Sequence, residues 1–275
     1  MYLLKPEFRK QPFIDKIINE ESDISFAAVA AGNNVGEVWV DDLLIPSFAI
    51  VWSEYLGGFS FMGTSYNNID SIRVSDFIED TVTPFLKNKG INSFEFSCDN
   101  ESWLPHILNC LSDHSIESEE QFVYGLDENF VNNKLSLLTS EYNYIEITPD
   151  ILIEGNNELR NVELLQSEIN KAWYSIDMFL RNGKGFVAIK DNEICSFALT
   201  HFRYNNTYSV GVETFDPHKQ KGLSNTLTKL LINCICEHNG NIWWDCMESN
   251  IASQKTAQKA GLLFRYKYKV CWFDF

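Results

Sequence analysis

The stretch Val212-Glu-Thr-Phe-Asp-Pro-His-Lys-Gln-Lys-Gly-Leu-Ser224, followed by the apolar helical spacing of Leu227 to Cys236, has the residue types and spacing best suited to chemistry. It reads as a strand, a short loop with one glycine, and a long helix. First-turn amides of a helix have no partner inside it, and the helix dipole makes that end positive. A pyrophosphate placed there satisfies both. Gly222 lets the backbone approach such a group with no Cβ in the way. Neither G-x-x-x-x-G-K-[ST] nor G-x-G-x-x-G occurs, which excludes two common phosphate-binding loops.

Other chemistries find less support. There is no G-x-S-x-G elbow and no CxxC. His201 and His218 are isolated, with no second ligand at metal spacing, so both are expected to be structural and no metal is expected. Asp41-Asp42 resembles a metal pair only superficially and reads as solvated strand-end carboxylates. The seven cysteines, at 98, 110, 195, 234, 236, 246 and 271, are scattered and odd in number, which points to a reduced, cytoplasmic protein with buried thiols.

These features must be positioned by two mixed α/β halves. In the first half, Phe13, Ile14, Ile17 and Ile18 follow helical spacing. Strands are expected at Ile24–Ala31, Gly36–Val40, Phe48–Trp52, Phe59–Met62, Ser93–Ser97 and Phe122–Tyr124, and helices at Ile72–Leu86 and Trp103–Leu111. The polar stretch Asp127–Ser140 places a domain boundary near residue 135, giving domains 1–135 and 136–275. The second half reads as strand Tyr142–Ile147, a long helix Glu158–Phe179, and strands Gly185–Lys190, Ile194–Arg203 and Tyr208–Glu213. The loop and helix Leu223–Cys236 follow, then strand Ile242–Cys246, helix Ile251–Ala260 and a closing hairpin Leu263–Phe275. Asp191-Asn192 and Asn205-Asn206 suit tight turns, because Asn tolerates positive φ.

The 275 residues are 45% hydrophobic, enough for a substantial core, and no apolar run is long enough to span a membrane. The amino terminus lacks the form of a signal peptide. The net charge of −16 is uneven: residues 1–135 carry −14 and residues 136–275 carry −2. Nucleic acid is an unsuitable partner for such a chain, whereas a cationic small molecule would be attracted. Solubility alone explains the charge equally well.

Lys219-Gln-Lys-Gly-Leu-Ser224 resembles the Q/R-x-x-G-x-G/A loop with which the GNAT superfamily of acyl-CoA N-acyltransferases holds the coenzyme A pyrophosphate. Lys219 stands where Arg or Gln is usual and Ser224 where Gly or Ala is usual. The changes keep a cation and a small residue. Trp243-Trp-Asp-Cys246, Asn250-Ile-Ala-Ser253 and Ala257-Gln-Lys-Ala-Gly-Leu262 resemble the superfamily's strand-to-helix segment, with Leu262 in place of the usual Phe. This likeness covers residues 140–275. Gly36-Glu-Val-Trp-Val-Asp-Asp42 and Glu213-Thr214 extend it over nearly the whole chain, to the family that includes zwittermicin A resistance proteins. The resemblance implies a tandem GNAT-like α/β (α+β) architecture with a mixed central sheet flanked by helices. The amino-terminal half would be a degenerate domain without a phosphate loop, walling the acceptor site. The carboxy-terminal half would bind acetyl-CoA.

Acetyl transfer from a thioester to an amine requires a deprotonated amine and a stabilised oxyanion, and the leaving thiolate can take up a proton. By resemblance, the strand before the loop splays from its neighbour, and the backbone of Val210, Gly211 and Val212 holds the acyl carbonyl and pantetheine. Gly211 also suits a bulge or close approach. Lys219, Gln220, Lys221, Gly222, Leu223 and Ser224 would cradle the phosphates. Thr214 would bond a phosphate or cap the loop, and Asn250 would face the coenzyme or serve only as a helix cap. Glu213 is the candidate general base, its pKa raised by apolar neighbours, against the alternative of a solvated strand end. Ala257 replaces the Tyr that many GNAT enzymes use as the leaving-group acid. The thiolate then leaves unassisted, or Ser253, Tyr266 or Tyr268 substitutes.

The expected activity is transfer from acetyl-CoA to a primary amine of a small cationic molecule, with amino-sugar or peptide-like antibiotics among the candidate acceptors. The expected state is a monomer or homodimer. The alternatives are a non-catalytic acyl-CoA-binding regulatory module and a tandem transferase using a bulkier acyl donor.

Overall fold

The computed structural model describes residues 1–64, 71–127, 141–152 and 159–275. The boundary expected near residue 135 lies outside the described residues. Two compact units form: Met1–Gln121 with Lys267–Phe275, and Phe122–Tyr266.

The first unit contains β1 (Tyr2–Leu3), α1 (Ile24–Ala30), β2 (Gly36–Val40), β3 (Phe48–Ser53), β4 (Phe59–Gly63), α2 (Ser71–Phe77), α3 (Thr83–Asn88), β5 (Ser93–Cys98) and α4 (Leu104–Cys110). Strands β1 to β4 pair antiparallel in order, and β4 pairs parallel with β5 through Phe61 opposite Cys98. Aromatic rings fill the core: Trp39 packs on Phe59, Phe77 and Phe85, and Phe94 lies against Phe59, Phe96 and Phe273.

Several expectations for this unit need correction. Ile24–Ala31, expected as a strand, is helical: Asp23 Oδ1 accepts from Ser25 N at 2.7 Å and caps α1. A short apolar run has no decisive periodicity, and alanine is the best helix former. The helix expected over Ile72–Leu86 is α2 and α3 joined by a π-helical turn at Ile78–Val82. Asp41 and Asp42 shape the β2–β3 loop. Asp41 accepts from Ser47 N, Ser47 Oγ and Phe48 N; Asp42 accepts from Leu44 N and Ile45 N, and those amides lower its pKa.

The second unit takes the end of β6 (Glu117–Gly125), then β7 (Asn143–Glu146), α5 (Pro149–Leu152), α6 (Val162–Ala172), α7 (Ile176–Asn182), β8 (Gly185–Lys190), β9 (Glu193–Tyr204), β10 (Thr207–Thr214), α8 (Leu223–Glu237), β11 (Asn241–Met247), α9 (Ile251–Lys259) and the start of β12 (Leu263–Asp274). Strands β7 to β10 are antiparallel in order, β11 runs parallel to β10, and β6 lies beside β11. Asp191, Asn192 and Asn205 have the positive φ expected of their turns. Leu223, Leu227, Leu231 and Ile235 of α8 pack with Ala198, Val210 and Ile242 on one face of this sheet.

The helix expected over Glu158–Phe179 is two helices; Glu158 itself lies outside the described residues. The chain becomes extended at Trp173, whose indole N–H reaches Thr200 O at 3.0 Å, and Ser175 Oγ then caps α7 at Met178 N. The expected closing hairpin is one strand, β12, because the run contains no Gly, Pro, Asn or Ser and its one Asp, Asp274, stands at the strand's end. Its later part pairs antiparallel with β5, Cys271 opposite Phe96 and Asp274 opposite Ser93, and so completes the first unit's sheet.

Candidate active site

One distortion in β10 organises the site. Its parallel pairing with β11 covers only Thr207–Ser209, against Asn241–Trp243. Beyond that point Val210–Thr214 retain β9 on one side, and among the described residues no strand pairs with their β11 side. On the β9 side the register slips at the same place. Ser209 lies opposite Phe202 and Val210 opposite Thr200, so His201 is the extra residue of a β-bulge. Val210, Gly211 and Val212 thus stand where strand splaying was expected. In the first unit β4 and β5 stay paired to the end of β5, and Asp99 N continues the contact to Phe61 O at 3.0 Å.

The loop after β10 leads to an α8 whose cap, Gly222, has φ +79° and offers no side-chain cap. Gln220 is also left-handed, at φ +62°. A Cβ on Gly222 would meet nothing within 4 Å, so the glycine is required by its backbone angle, and the space above it is open. Leu223 is buried and anchors the first turn. Hydroxyls tie the loop to the sheet: Ser196 Oγ donates to Glu213 O at 2.6 Å and lies 2.7 Å from Thr214 Oγ1, which lies 2.9 Å from Ser224 Oγ. Thr214 and Ser224 are therefore bonded to one another across the loop. Asn225 Oδ1, also in the first turn, is buried with no partner among the described residues. Lys219 pairs with Asp216 at 2.6 Å, which raises the lysine pKa and lowers that of the acid. Lys221 lies 5.9 Å from the Tyr142 ring centroid, and His218 Nδ1 is 2.9 Å from the Tyr142 hydroxyl.

Glu213 is exposed at the end of β10, so the apolar enclosure foreseen for it is not formed. Residue alternation places it on the same face as Gly211, opposite the Val210 face that packs under α8. Ser253 Oγ accepts the Trp244 indole N–H at 3.0 Å, which fixes α9 to β11. Asn250 Oδ1 accepts from Ser253 N at 3.1 Å and caps α9, while Ala257 is fully buried. Tyr268 donates to Asp23 at 2.7 Å within the first unit, and Tyr266 packs edge-on against Trp243. A tyrosine hydroxyl does reach α9, from β6: Tyr124 donates to Gln254 Oε1 at 3.3 Å.

His201 was expected to be a lone structural residue. Its ring lies across Gly211: a Cβ there would stand 2.1 Å from Cε1 and 2.4 Å from Nδ1. The close approach foreseen at Gly211 is thus made by an imidazole. His201 Nε2 lies 3.4 Å from Glu168 Oε1 of α6, with side chains only 10% and 14% exposed, and Glu168 Oε2 pairs with Lys171. The dyad escaped sequence reading because Glu168 is 33 residues away and a bulge depends on cross-strand register. The one local trace was a glycine in mid-strand. Among the described residues no three His, Cys, Asp or Glu side chains gather as a metal site, and no helix is long and apolar enough to cross a membrane.

Comparison with known proteins agrees with this fold. No curated protein sequence matches the chain. A GCN5-related N-acetyltransferase-like protein from Streptococcus suis 89/1591 superposes with TM-score 0.65 at 16% identity, covering 97% of this chain and 98% of that one. A tandem GNAT protein from the clavulanic acid biosynthesis pathway gives 0.64 at 10% identity, covering 99% and 97%. A GNAT-family acetyltransferase from Colwellia psychrerythraea gives 0.58 at 10% identity over the full length of both chains. These likenesses concern the fold. The model of the GNAT acetyltransferase family matches residues 15–271, and the chain belongs to that family.

Proposed function

We propose that the second unit transfers an acetyl group from acetyl-CoA to a primary amine of a small cationic molecule. The observation that carries this is the open β11-facing edge of Val210–Thr214, running into the uncapped amino terminus of α8. An exposed strand edge seeks amide partners, and the pantetheine arm supplies them as an added strand would. Backbone amides in the same gap suit the thioester oxyanion. The first-turn amides of α8 with Gln220, Lys221 and Gly222 suit the pyrophosphate, and Lys219 would exchange its exposed partner Asp216 for phosphate. Glu213, exposed where the amine would arrive, suits holding an ammonium, and the net charge of −16 favours cationic acceptors. Antibiotic amines fall within that class.

Calorimetry with acetyl-CoA and CoA, together with thiol release across an amine panel, tests the proposal. Binding with release supports it, and absence of any binding refutes it. The buried Ala257, in place of a leaving-group acid, favours a second reading as a regulatory acyl-CoA sensor. Binding without release on any amine would favour the sensor. Preference for a longer acyl donor would redirect the assignment to a different transferase. Glu213→Gln is expected to raise the acceptor KM; an unchanged acceptor KM excludes the carboxylate from holding the amine.

A further inference from the structure

We propose that Lys190 and Lys221, gathered on the Tyr142 ring, form a subsite for the ribose 3′-phosphate of coenzyme A and so select the donor nucleotide. The proposal rests on the acyl-transfer reading of the same unit and goes beyond it, since the amides at the start of α8 serve the diphosphate only.

The sequence supplies the pieces from three places, and the second unit folds them together. Tyr142 stands just before β7, and Lys190 ends β8. Asn143 pairs with Ile189, so one more step along the ladder sets Tyr142 against Lys190. Tyr142 is 5% exposed and belongs to the core that includes Ala188, Cys195 and Leu223. Its hydroxyl lies 2.9 Å from His218 Nδ1, and the two rings meet edge to face at 5.7 Å. The ring is thus fixed before any ligand arrives. Lys190 Nζ lies 5.6 Å from its centroid and Lys221 Nζ 5.9 Å. The ring quadrupole attracts both ammonium groups, and each keeps N–H donors to spare.

Glu141 shows that one anion can engage both lysines. Lys190 Nζ reaches its carboxylate at 2.6 Å, and that hydrogen bond, with the charge of Lys221 as a lesser cause, lowers the Glu141 pKa. The Glu141 side chain is 56% exposed, so exchanging it for a ligand anion costs little. Lys221 is itself exposed and makes no ion pair among the described residues. Two ammonium groups against one carboxylate leave a positive spot on a chain of net charge −16. Of the other acids on this hairpin, Asp191 lies in the turn beside Lys190, and Glu193 is paired with Arg160 at 2.7 Å.

Lys221 directly precedes Gly222, so its side chain springs from the diphosphate loop itself. The coenzyme has one further anion, a phosphomonoester on its ribose. Near neutral pH such a group carries a charge of about −1.5 to −2 on three acceptor oxygens, which suits two ammonium donors better than a carboxylate does.

Calorimetry on the full chain compares CoA with 3′-dephospho-CoA, which differ only in that group. CoA should bind about 5- to 10-fold more tightly. Lys190→Met should reduce this ratio to about 2 or less while leaving dephospho-CoA affinity unchanged. Glu141→Gln removes the competing acid and should tighten CoA alone. Lys221→Met should narrow the ratio whatever it costs at the diphosphate. Equal affinity of the wild type for the two nucleotides overturns the proposal, as does a wild-type ratio retained in both lysine variants. Inorganic phosphate, titrated alone, should bind far more weakly than CoA; phosphate that binds as tightly marks an anion site independent of the coenzyme and overturns the assignment. Two nucleotides that bind equally leave the acyl-transfer reading intact, whereas absence of binding by both removes that reading and this inference together.

Discussion

Gly211→Ala places a Cβ 2.1 Å from His201 Cε1, where ordinary contact begins at 3.4 Å. The ring must retreat by about 1.3 Å, and retreat disturbs the 3.4 Å contact of Nε2 with Glu168. Overpacking of a fitted site costs about 1–3 kcal/mol. His201→Ala alone removes a buried ring and leaves a void, at a cost of about 2 kcal/mol. In the double variant the clash is gone, and alanine in a strand is less costly than glycine by about 0.5–1 kcal/mol. The Gly211→Ala step should then be neutral or slightly stabilising. A double-mutant cycle on urea midpoints should therefore give a coupling of about 1–3 kcal/mol between two residues on adjacent strands. Additivity within about 0.5 kcal/mol would mean that the ring does not occupy the Gly211 face.

Gly222→Ala should cost about 1–2 kcal/mol of stability through its φ of +79° alone, since no atom obstructs the new Cβ. Gly222→Asn should cost less, and calorimetry should find CoA binding weakened in proportion to the distortion of the loop. Asn250→Ala should lose about 1 kcal/mol as a helix cap; loss of stability with unchanged CoA affinity would leave Asn250 a structural role only. Asp99 is pushed up to about 7 by burial, and Asp23 nearby adds to the rise, while a 2.5 Å hydrogen bond from Ser22 Oγ opposes it. A carboxyl whose folded pKa lies above its unfolded value favours the folded state fully only while protonated. Stability should therefore fall as pH rises from about 4 to 7, by at most about 4 kcal/mol, and level off above. Asp99→Asn should flatten that slope in pH-dependent urea unfolding, and an unchanged slope would assign it to other groups.

The loop was legible because its constraints are local. A lone glycine before an apolar helical run marks a left-handed residue, and the Asn-rich turns carry their conformation in the residues themselves. The errors came from tertiary context. Ile24–Ala31 is apolar in either conformation, and only the Asp23 cap and its alanines favour the helix. Trp173 breaks its helix to bury an indole against β9. Nothing in Leu263–Phe275 names β5 as its partner, because strand pairing is settled by register across the sheet. His201 and Glu168 belong to this class, as two unremarkable residues until β9 is paired.

The open edge and the inward histidine share an origin. Pairing of β10 to β11 ends at Ser209, and the slip against β9 falls between Ser209 and Val210. A bulge increases local twist and bends its strand. The same extra residue that turns His201 onto Gly211 therefore bends β9, the strand that carries it, at the level where β10 parts from β11. The first unit is the internal control. There β4 meets β3 without a slip from Phe48 to Trp52, and β4 and β5 remain paired to the end of β5, with Phe59, Phe61, Phe94 and Phe96 buried. A five-residue stretch of β10 without β11 pairing thus accompanies the bulge in one unit, whereas in the other only Met62 and Gly63 of β4 extend past the last β5 pair. Straightening β9 by deleting His201 should close the β10 edge as well as remove the imidazole. Such a deletion should abolish CoA binding, where His201→Gln, which keeps the bulge, should preserve it.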